Sequence, residues 1–472
     1  MQSVNDTLKT LAEAGFEIAG ALVDMPVAGA IGSALVSLFW PDSTTDVWMQ
    51  VQNDVATLLN QTFDQTTYTN LSNLLSGPPG SENEGLLGAY NEYLASLDSG
   101  DLTLIQSSWA AARASFTSLI TQFQQLGLQD AGAFLALFTQ VGNLQLALLK
   151  DGVNKGGGWG FDPQSVANIH QELKQAIYSN ANWVESTYTA GLPSSTVPPP
   201  GIGGSSIPAG IWQQQNTYIR AMVLTVWDFV FLWPYFDPDS ATPPPANTRE
   251  IYSDLIGGLT NNPIDQPMDT GTPPLLPTLP APAVTINYDP GGSPQPPNPP
   301  PPNYSSCAPV SLQWNQTPQP AVASITTWVQ YTPNNAGSPW VDTLFSAQVS
   351  RAGTANPDPI TGAQPPIGAA SSWATMPVTS ARGGFGGGMW PYINWIQFVS
   401  NNDPANVSPA AGNLFGSNYN GNWAGPEPFV FTYPSHQLSN LLFTQVAQPD
   451  PPHNYPPMPI AVIFGFRIST SY

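Results

Sequence analysis

The chain predicts two architectures in succession: a helical bundle of the seven-helix type around one central apolar helix, then an all-β region. Three observations carry this. Apolar residues recur at three- and four-residue steps through residues 1–258. The chain has 52 prolines, concentrated in its second half, and such a shift marks two architectures joined by a linker. Beyond residue 306 the apolar runs are short, rich in β-branched and aromatic residues, and divided by Gly, Pro, Asn and Asp. With 472 residues the chain has room for two or three domains, each with its own core.

In order, Val27–Trp40 is a short apolar helix stopped by Pro41, and Asp42 or Ser43 caps the next, with Val47, Val51, Val55, Leu58, Leu59 and Phe63 on its apolar face. A third begins at Thr67–Leu75, breaks at Gly77-Pro78-Pro79-Gly80 and resumes over Glu84–Leu97. Asp101 caps Leu102–Leu126, where Leu102, Ile105, Trp109, Ala112, Phe116, Leu119, Ile120 and Phe123 form a stripe. The other face carries Gln106, Ser107, Arg113, Ser115, Thr117, Ser118, Thr121 and Gln122. The connection Gln125–Asp130 turns the chain back antiparallel into the central helix.

That helix has Phe134, Leu137, Phe138, Val141, Leu144 and Leu148 on one side. The opposite side is Ala133, Ala136, Gln140, Asn143, Leu146 and Ala147, and no ionised group precedes Lys150. A helix neutral all round belongs inside other helices or in a membrane. After Trp159–Asp162, Pro163 opens a helix running to about Ala190 through Ile169, Leu173, Ile177 and Val184. The loop Pro193–Pro208 leads to a last helix, Trp212–Phe236.

The expected domains are 1–258 helical, 259–306 Pro-rich, and 307–472 all-β. The middle stretch is either a stiff linker or a loop inserted in the second domain, with one candidate strand at Val284–Tyr288. Strands are expected at Ala323–Tyr331, Asp342–Val349, Tyr392–Ser400, Pro428–Tyr433, Leu438–Val446 and Ile460–Ser469.

Composition narrows function. Ten basic residues stand against 31 acidic ones, a net charge of -21, which argues against nucleic acid as a partner. Cys307 is alone, so no internal disulfide or cysteine metal site is expected. Asp6, Glu13 and Glu17 precede the first apolar run, so no signal peptide is expected, and no segment reads as a constitutive membrane helix. His170 reads as a solvated helical histidine near Glu172 and Lys174; His436 and His453 read as loop residues without acidic partners. Metal-ligand spacing therefore fails. Gly383–Gly388 lacks the Lys-Ser/Thr of a phosphate loop and reads as a flexible turn, and Glu82 and Glu84 as a solvated pair. No catalytic set, cofactor or metal is expected, and no enzyme.

The hairpin of Leu102–Leu126 and Ala131–Leu149 is the physical candidate for function. At about 1.5 Å per residue each arm crosses much of a bilayer core. The first arm has a Gln/Ser/Thr face able to line water; the second carries no charge that lipid would penalise. Two core helices of a soluble bundle would show the same pattern.

Five blocks then resemble the three-domain Cry insecticidal δ-endotoxins: Pro26–Asp42 ending in Phe-Trp-Pro, Val141–Asp151 (VGNLQLALLKD), Trp159–Asp162 with Tyr188–Leu192 (YTAGL), Tyr218–Asp237, and Thr248–Asp254 (TREIYSD), the last resembling the entry strand of the second domain. Ile393–Asn401, Gly412–Gly416, Phe429–Phe431 and Ile460–Ile468 follow the rhythm of jacalin-like β-prism repeats. The resemblance implies a pore-forming helical domain and a β-prism receptor-binding domain, with the family's third domain, a β-sandwich, without residues to build it. Alternatively the last β region is that sandwich.

It further implies a toxin that accumulates as soluble protein or crystalline inclusion. The toxin would bind a protein or glycan receptor on gut epithelium, oligomerise, and insert residues 102–149 into membrane lipid. The residues singled out are Gln106, Trp109, Arg113, Phe116 and Thr117 on the first arm, and Phe134, Phe138, Val141, Asn143, Gln145 and Leu148 on the second. Receptor loops would use Trp340, Trp390, Tyr392, Tyr419, Trp423 and Tyr455. Gln145 stands where family members often carry histidine, basic cleavage sites are few, and His453–Val462 lacks the Gly-x-x-x-Asp turn of a jacalin sugar pocket. A lectin-like protein without pore activity, or a structural inclusion or coat protein, would share the fold.

Overall fold

The computed structural model describes residues 29, 32–33, 35–36, 64–78, 84–127, 131–191, 206–230, 232–239, 250–254, 256–257, 263–265, 283–288, 310–313, 322–332, 341–358, 361–362, 369–374, 377–385, 393–400, 403–408, 415–416, 427–433, 436–446 and 458–468. They fall into two compact units. One comprises Met1–Pro193, Tyr218–Asn247 and Thr272–Leu279; the other comprises Ser194–Thr217, Thr248–Gly271 and Pro280–Tyr472.

The helical unit contains α1 (Gln65–Ser76), α2 (Leu86–Leu97), α3 (Leu102–Gln124), α4 (Leu135–Lys155, entered by a 3₁₀ turn at Gly132–Phe134) and α5 (Pro163–Gly191). The chain later enters α6 (Ala209–Met222), which continues through a π turn at Val223–Trp227, a short helical stretch at Asp228–Val230 and a 3₁₀ turn at Trp233–Phe236. Of the expected Val27–Trp40 helix, residues 32–33 and 35–36 are helical. The Val47–Phe63 helix lies outside the described residues.

Carboxylates start three helices. Asp64 accepts from the amides of Thr66 and Thr67, Asp101 from Thr103 and Leu104, and Asp162 from Gln164 and Ser165, at 2.9–3.3 Å. Each satisfies N–H groups that a helix leaves without partners in its first turn.

The α3 stripe is buried from Ile105 to Phe123, with one correction: Leu102 is 47% exposed. It lies in the first turn, where Thr103 and Leu104 are exposed too. Ser108 is buried in its place and donates to Ser96 of α2. A second correction concerns membrane-competent segments. Gly132–Lys155 and Asn216–Phe236 are each long and apolar enough to cross a bilayer, and both are mostly buried. Scattered neutral amides such as Gln140 and Asn143 disguise the first in sequence without adding charge.

The sheet unit is antiparallel throughout its described strands. A small sheet runs β1 (Ser206–Pro208), β4 (Pro263–Asp265), β5 (Ala283–Tyr288) and β6 (Val310–Gln313). Two of its strands come from the Pro-rich stretch, which therefore contributes to the sheet unit. A second sheet joins β16 (His436–Val446), β17 (Met458–Ile468) and β2 (Glu250–Tyr252), with β3 (Ile256–Gly257) on β17. A third runs β10 (Ala369–Trp373), β7 (Val322–Thr332), β8 (Val341–Arg351) and β9 (Thr361–Gly362). The fourth runs β13 (Asp403–Ser408), β12 (Ile393–Ser400), β11 (Ser380–Phe385) and β15 (Glu427–Thr432), with β14 (Phe415–Gly416) on β12.

The last three sheets touch pairwise. Trp373 stacks on Phe398 at 6.2 Å, Phe431 lies 5.9 Å from Phe464, and Arg351 Nη2 donates to the Ser439 carbonyl at 2.9 Å. Three sheets closing on one core is the arrangement of a β-prism, not of a two-sheet sandwich. Two loop expectations are corrected here. Gly383 and Gly384 lie inside β11, paired on both sides, and His436 opens β16, buried with its ring 6.5 Å from Tyr433.

Candidate functional site

As far as Leu149 the helix α4 is enclosed on all sides. From Ala131 to Leu149 only Gln145 escapes full burial. Each buried Leu, Phe or Val there contributes about 1.5–3 kcal/mol relative to exposure. Phe138 meets Phe123 of α3 edge-on at 5.5 Å and Trp183 of α5 at 4.2 Å. Trp109 donates its indole N–H to the Leu148 carbonyl at 3.0 Å, and Gly152 gives its ring room: a Cβ there would stand 2.7 Å from Trp109 Cζ2.

Asn143 and Gln145 of α4 are held by side chains from elsewhere in the unit. Asn143 Oδ1 accepts from Trp233 Nε1 at 2.7 Å, and its Nδ2 donates to Gln140 Oε1 at 2.8 Å. Gln145 Oε1 accepts from Asn180 of α5 at 2.9 Å. Val141 and Phe134 are buried apolar contacts.

On α3, Phe116 packs edge-on against Tyr90 at 5.7 Å, and Thr117 is exposed, its hydroxyl bonded to the Arg113 carbonyl at 3.0 Å. Gln106 is half-buried and donates to the Trp159 carbonyl. Arg113 forms a two-armed ion pair with Glu172 of α5, one arm at 3.0 Å, and lies 5.5 Å from the centre of the Trp109 ring. The structure thus gathers the eleven hairpin residues into two packed helices. The six loop aromatics Trp340, Trp390, Tyr392, Tyr419, Trp423 and Tyr455 lie outside the described residues.

Two clusters were not legible in the sequence. Asp151, just past the hairpin, accepts from the Gly29 amide at 2.8 Å and the Tyr93 hydroxyl at 2.9 Å, both on Oδ2. Burial pushes its carboxyl up to about 6, against the lowering effect of those two bonds and of Lys150 and Lys155. The second cluster overturns the solvated reading of His170. Its Nε2 is 2.7 Å from Asp237 Oδ1 and 3.6 Å from Asp239, which follow the Trp233–Phe236 turn.

Three ligand atoms of His170, Asp237 and Asp239 lie within 4.8 Å of one another. The Lys174 ammonium is 2.7 Å from Asp239 and 3.7 Å from Asp237, so a cation already stands at these carboxylates. The arrangement fastens α5 to the chain after the last helix.

Comparison with known proteins agrees with this geometry. The family model described as "delta endotoxin, N-terminal domain" matches residues 18–237. The pesticidal crystal protein Cry9Ca of Bacillus thuringiensis subsp. tolworthi is 28% identical over 269 residues, covering 54% of this chain and 21% of that protein. Cry19Ba of subsp. higo is 31% identical over 257 residues, covering 51% of this chain and 36% of its own length. The crystal structure of Cry7Ca1 from Bacillus thuringiensis superposes on 98% of this chain and 75% of its own, with TM-score 0.66 and 14% identity. That likeness extends over both units and concerns the fold.

Proposed function

We propose, from the premise that this chain belongs to the Cry delta-endotoxin family through residues 18–237, that it is a pore-forming toxin of the insecticidal type. The observation that carries the reading is the state of α4. Residues 131–149 contain no ionised side chain, and nineteen helical residues at about 1.5 Å each come to about 28 Å, close to a bilayer's hydrocarbon thickness. The soluble bundle buries that segment almost completely. It stores a membrane-length helix away from water.

Release would move α3 and α4 together, since the short link between them leaves them neighbours. In lipid, α4 loses nothing to charge burial. The helix α3 keeps its Ser/Thr/Gln face on water and its Ile105–Phe123 stripe on apolar surroundings. The driving force is apolar helix surface leaving water for hydrocarbon. The prism unit would locate the target membrane through a protein or glycan receptor, using the loop aromatics, and several copies would assemble to enclose a lumen. The protein would act without catalysis and would be stored as inclusion or soluble protein in the producing cell.

Dye-loaded vesicles test the reading. The folded protein, with or without limited proteolysis, releases dye from lipid vesicles. Tight binding to glycans or vesicles without leakage at any pH would instead favour a lectin-like protein.

A further inference from the structure

The turn Trp233–Phe236 and the two aspartates beyond it bridge α4 and α5. Trp233 is fully buried, and its indole N–H donates to Asn143 Oδ1 at 2.7 Å. Its ring lies over Gly142, where a Cβ would stand 3.0 Å from Trp233 Cζ2. Further along α4, Lys150 Nζ donates to the Tyr235 carbonyl at 3.4 Å and stands 6.0 Å from the centre of the Phe236 ring. From Gly142 to Lys150 these contacts follow about 12 Å of α4. The far end of the segment is fastened to α5. There Asp237 and Asp239 meet His170 and Lys174, which are one helical turn apart. The Asp239 amide donates to Asp237 Oδ1 at 3.0 Å, which keeps the two carboxylates together.

We propose that residues 233–239 are a retaining strap, an autoinhibitory contact that keeps α4 in the bundle until it lifts. The proposal rests on the pore-forming reading above. The helix α3 has its own clasp to α5, the Arg113–Glu172 pair, whereas the strap acts on α4. While the strap is fixed on α5, α4 cannot move away from α5 without stripping Trp233 from Asn143. That would leave a buried amide oxygen without its donor, which is costly. The two ends of the strap differ in strength. Trp233 and Phe236 are fully buried against the bundle, whereas Lys174 is 42% and Asp239 66% exposed, where ion pairs hold weakly. Once those pairs open, the segment is free to move with α4 or to peel from it. Retention of the hairpin is therefore decided at the exposed end, on α5.

The test fixes the strap to α5 and leaves the hairpin untouched. In a Cys307→Ser background, His170→Cys with Asp237→Cys places two thiols at the present pair, for a short cleavable bis-maleimide. Two readouts are taken on the full chain: hydrogen exchange of the α4 amides over residues 139–150, and dye release from lipid vesicles. Before cross-linking, exchange in that stretch should be about tenfold faster than in the wild type, and leakage should start sooner. Closing the linker should bring both below the wild-type rates, and cleaving it should restore them. Asp237→Asn with Asp239→Asn, which introduces no thiol, should repeat the faster exchange. Leakage unchanged by closing the linker would overturn the inference and leave the pore reading standing. So would exchange that slows equally in α2, which would report a general stabilisation of the bundle. Wild-type protein that never leaks would overturn the pore reading, and the exchange rates then decide by themselves whether the strap holds α4.

Discussion

Replacing Asp151 by Asn should remove a pH dependence built into the end of α4. In the folded protein the carboxyl titrates at about 6 instead of 3.8, because burial disfavours its charge. The folded state therefore holds its proton more tightly than the unfolded chain. The stability this supplies is fully present below about pH 3.8 and is lost as pH rises through about 6. A shift of that size corresponds to about 3 kcal/mol. Both donors, the Gly29 amide and the Tyr93 hydroxyl, meet the same oxygen, so one amide carbonyl can keep both bonds.

The Asn variant should match the wild type near pH 4 and exceed it by up to about 3 kcal/mol at pH 8. Urea unfolding followed by the helical circular dichroism signal, at both pH values, reads the difference directly. All other titrating groups are shared, so they cancel in the comparison. A gap between the two proteins that is the same at pH 4 and pH 8 would refute the reasoning. If the gap opens as expected, the charge on Asp151 weakens the wild-type bundle as pH rises through about 6, at the point where Gly29 is tied to α4.

Two other substitutions examine the packing of the stored helix. Gly152→Ala places a Cβ 2.7 Å from Trp109 Cζ2, and Trp109 is held in place by its bond to the Leu148 carbonyl. Thermal unfolding should show a loss of about 1–3 kcal/mol. Trp233→Phe removes the donor to Asn143 Oδ1 and leaves a buried acceptor without it. It should cost about 1–3 kcal/mol by denaturant titration, with the helical content of the folded protein unchanged.

The helices were legible because their cause is local. The three-to-four-residue recurrence in Ile105–Phe123 and Phe134–Leu148, with Asp101 ahead of one and Pro163 ahead of another, is information carried within a single element. The absence of charge before Lys150 likewise pointed to the burial of α4 before any neighbour was known. Contacts made across long stretches of chain were not legible. Asp151 meets Gly29 across 122 residues, and His170 meets Asp237 across 67. No local pattern announces either, and a lone helical histidine looks the same in sequence whether it faces water or an aspartate.

In the sheet unit the long strands were readable from their β-branched and aromatic runs. Strands of two to six residues such as β9, β14 and β11 owe their existence to a partner's ladder. Gly383 and Gly384 in β11 have no strand propensity of their own. Leu102 failed for a simpler reason: periodicity gives a face, but not where along a helix its neighbours end.

The central claim is that α3 and α4 leave the bundle to enter the membrane, and tethering α3 to α5 tests it most directly. Arg113→Cys with Glu172→Cys, in a Cys307→Ser background, places thiols where the clasp now stands, within reach of a short cleavable bis-maleimide. Dye release from vesicles should be abolished when the cross-link is closed and restored when the linker is cleaved, with the uncross-linked protein active throughout. Undiminished release from fully cross-linked protein would contradict the account.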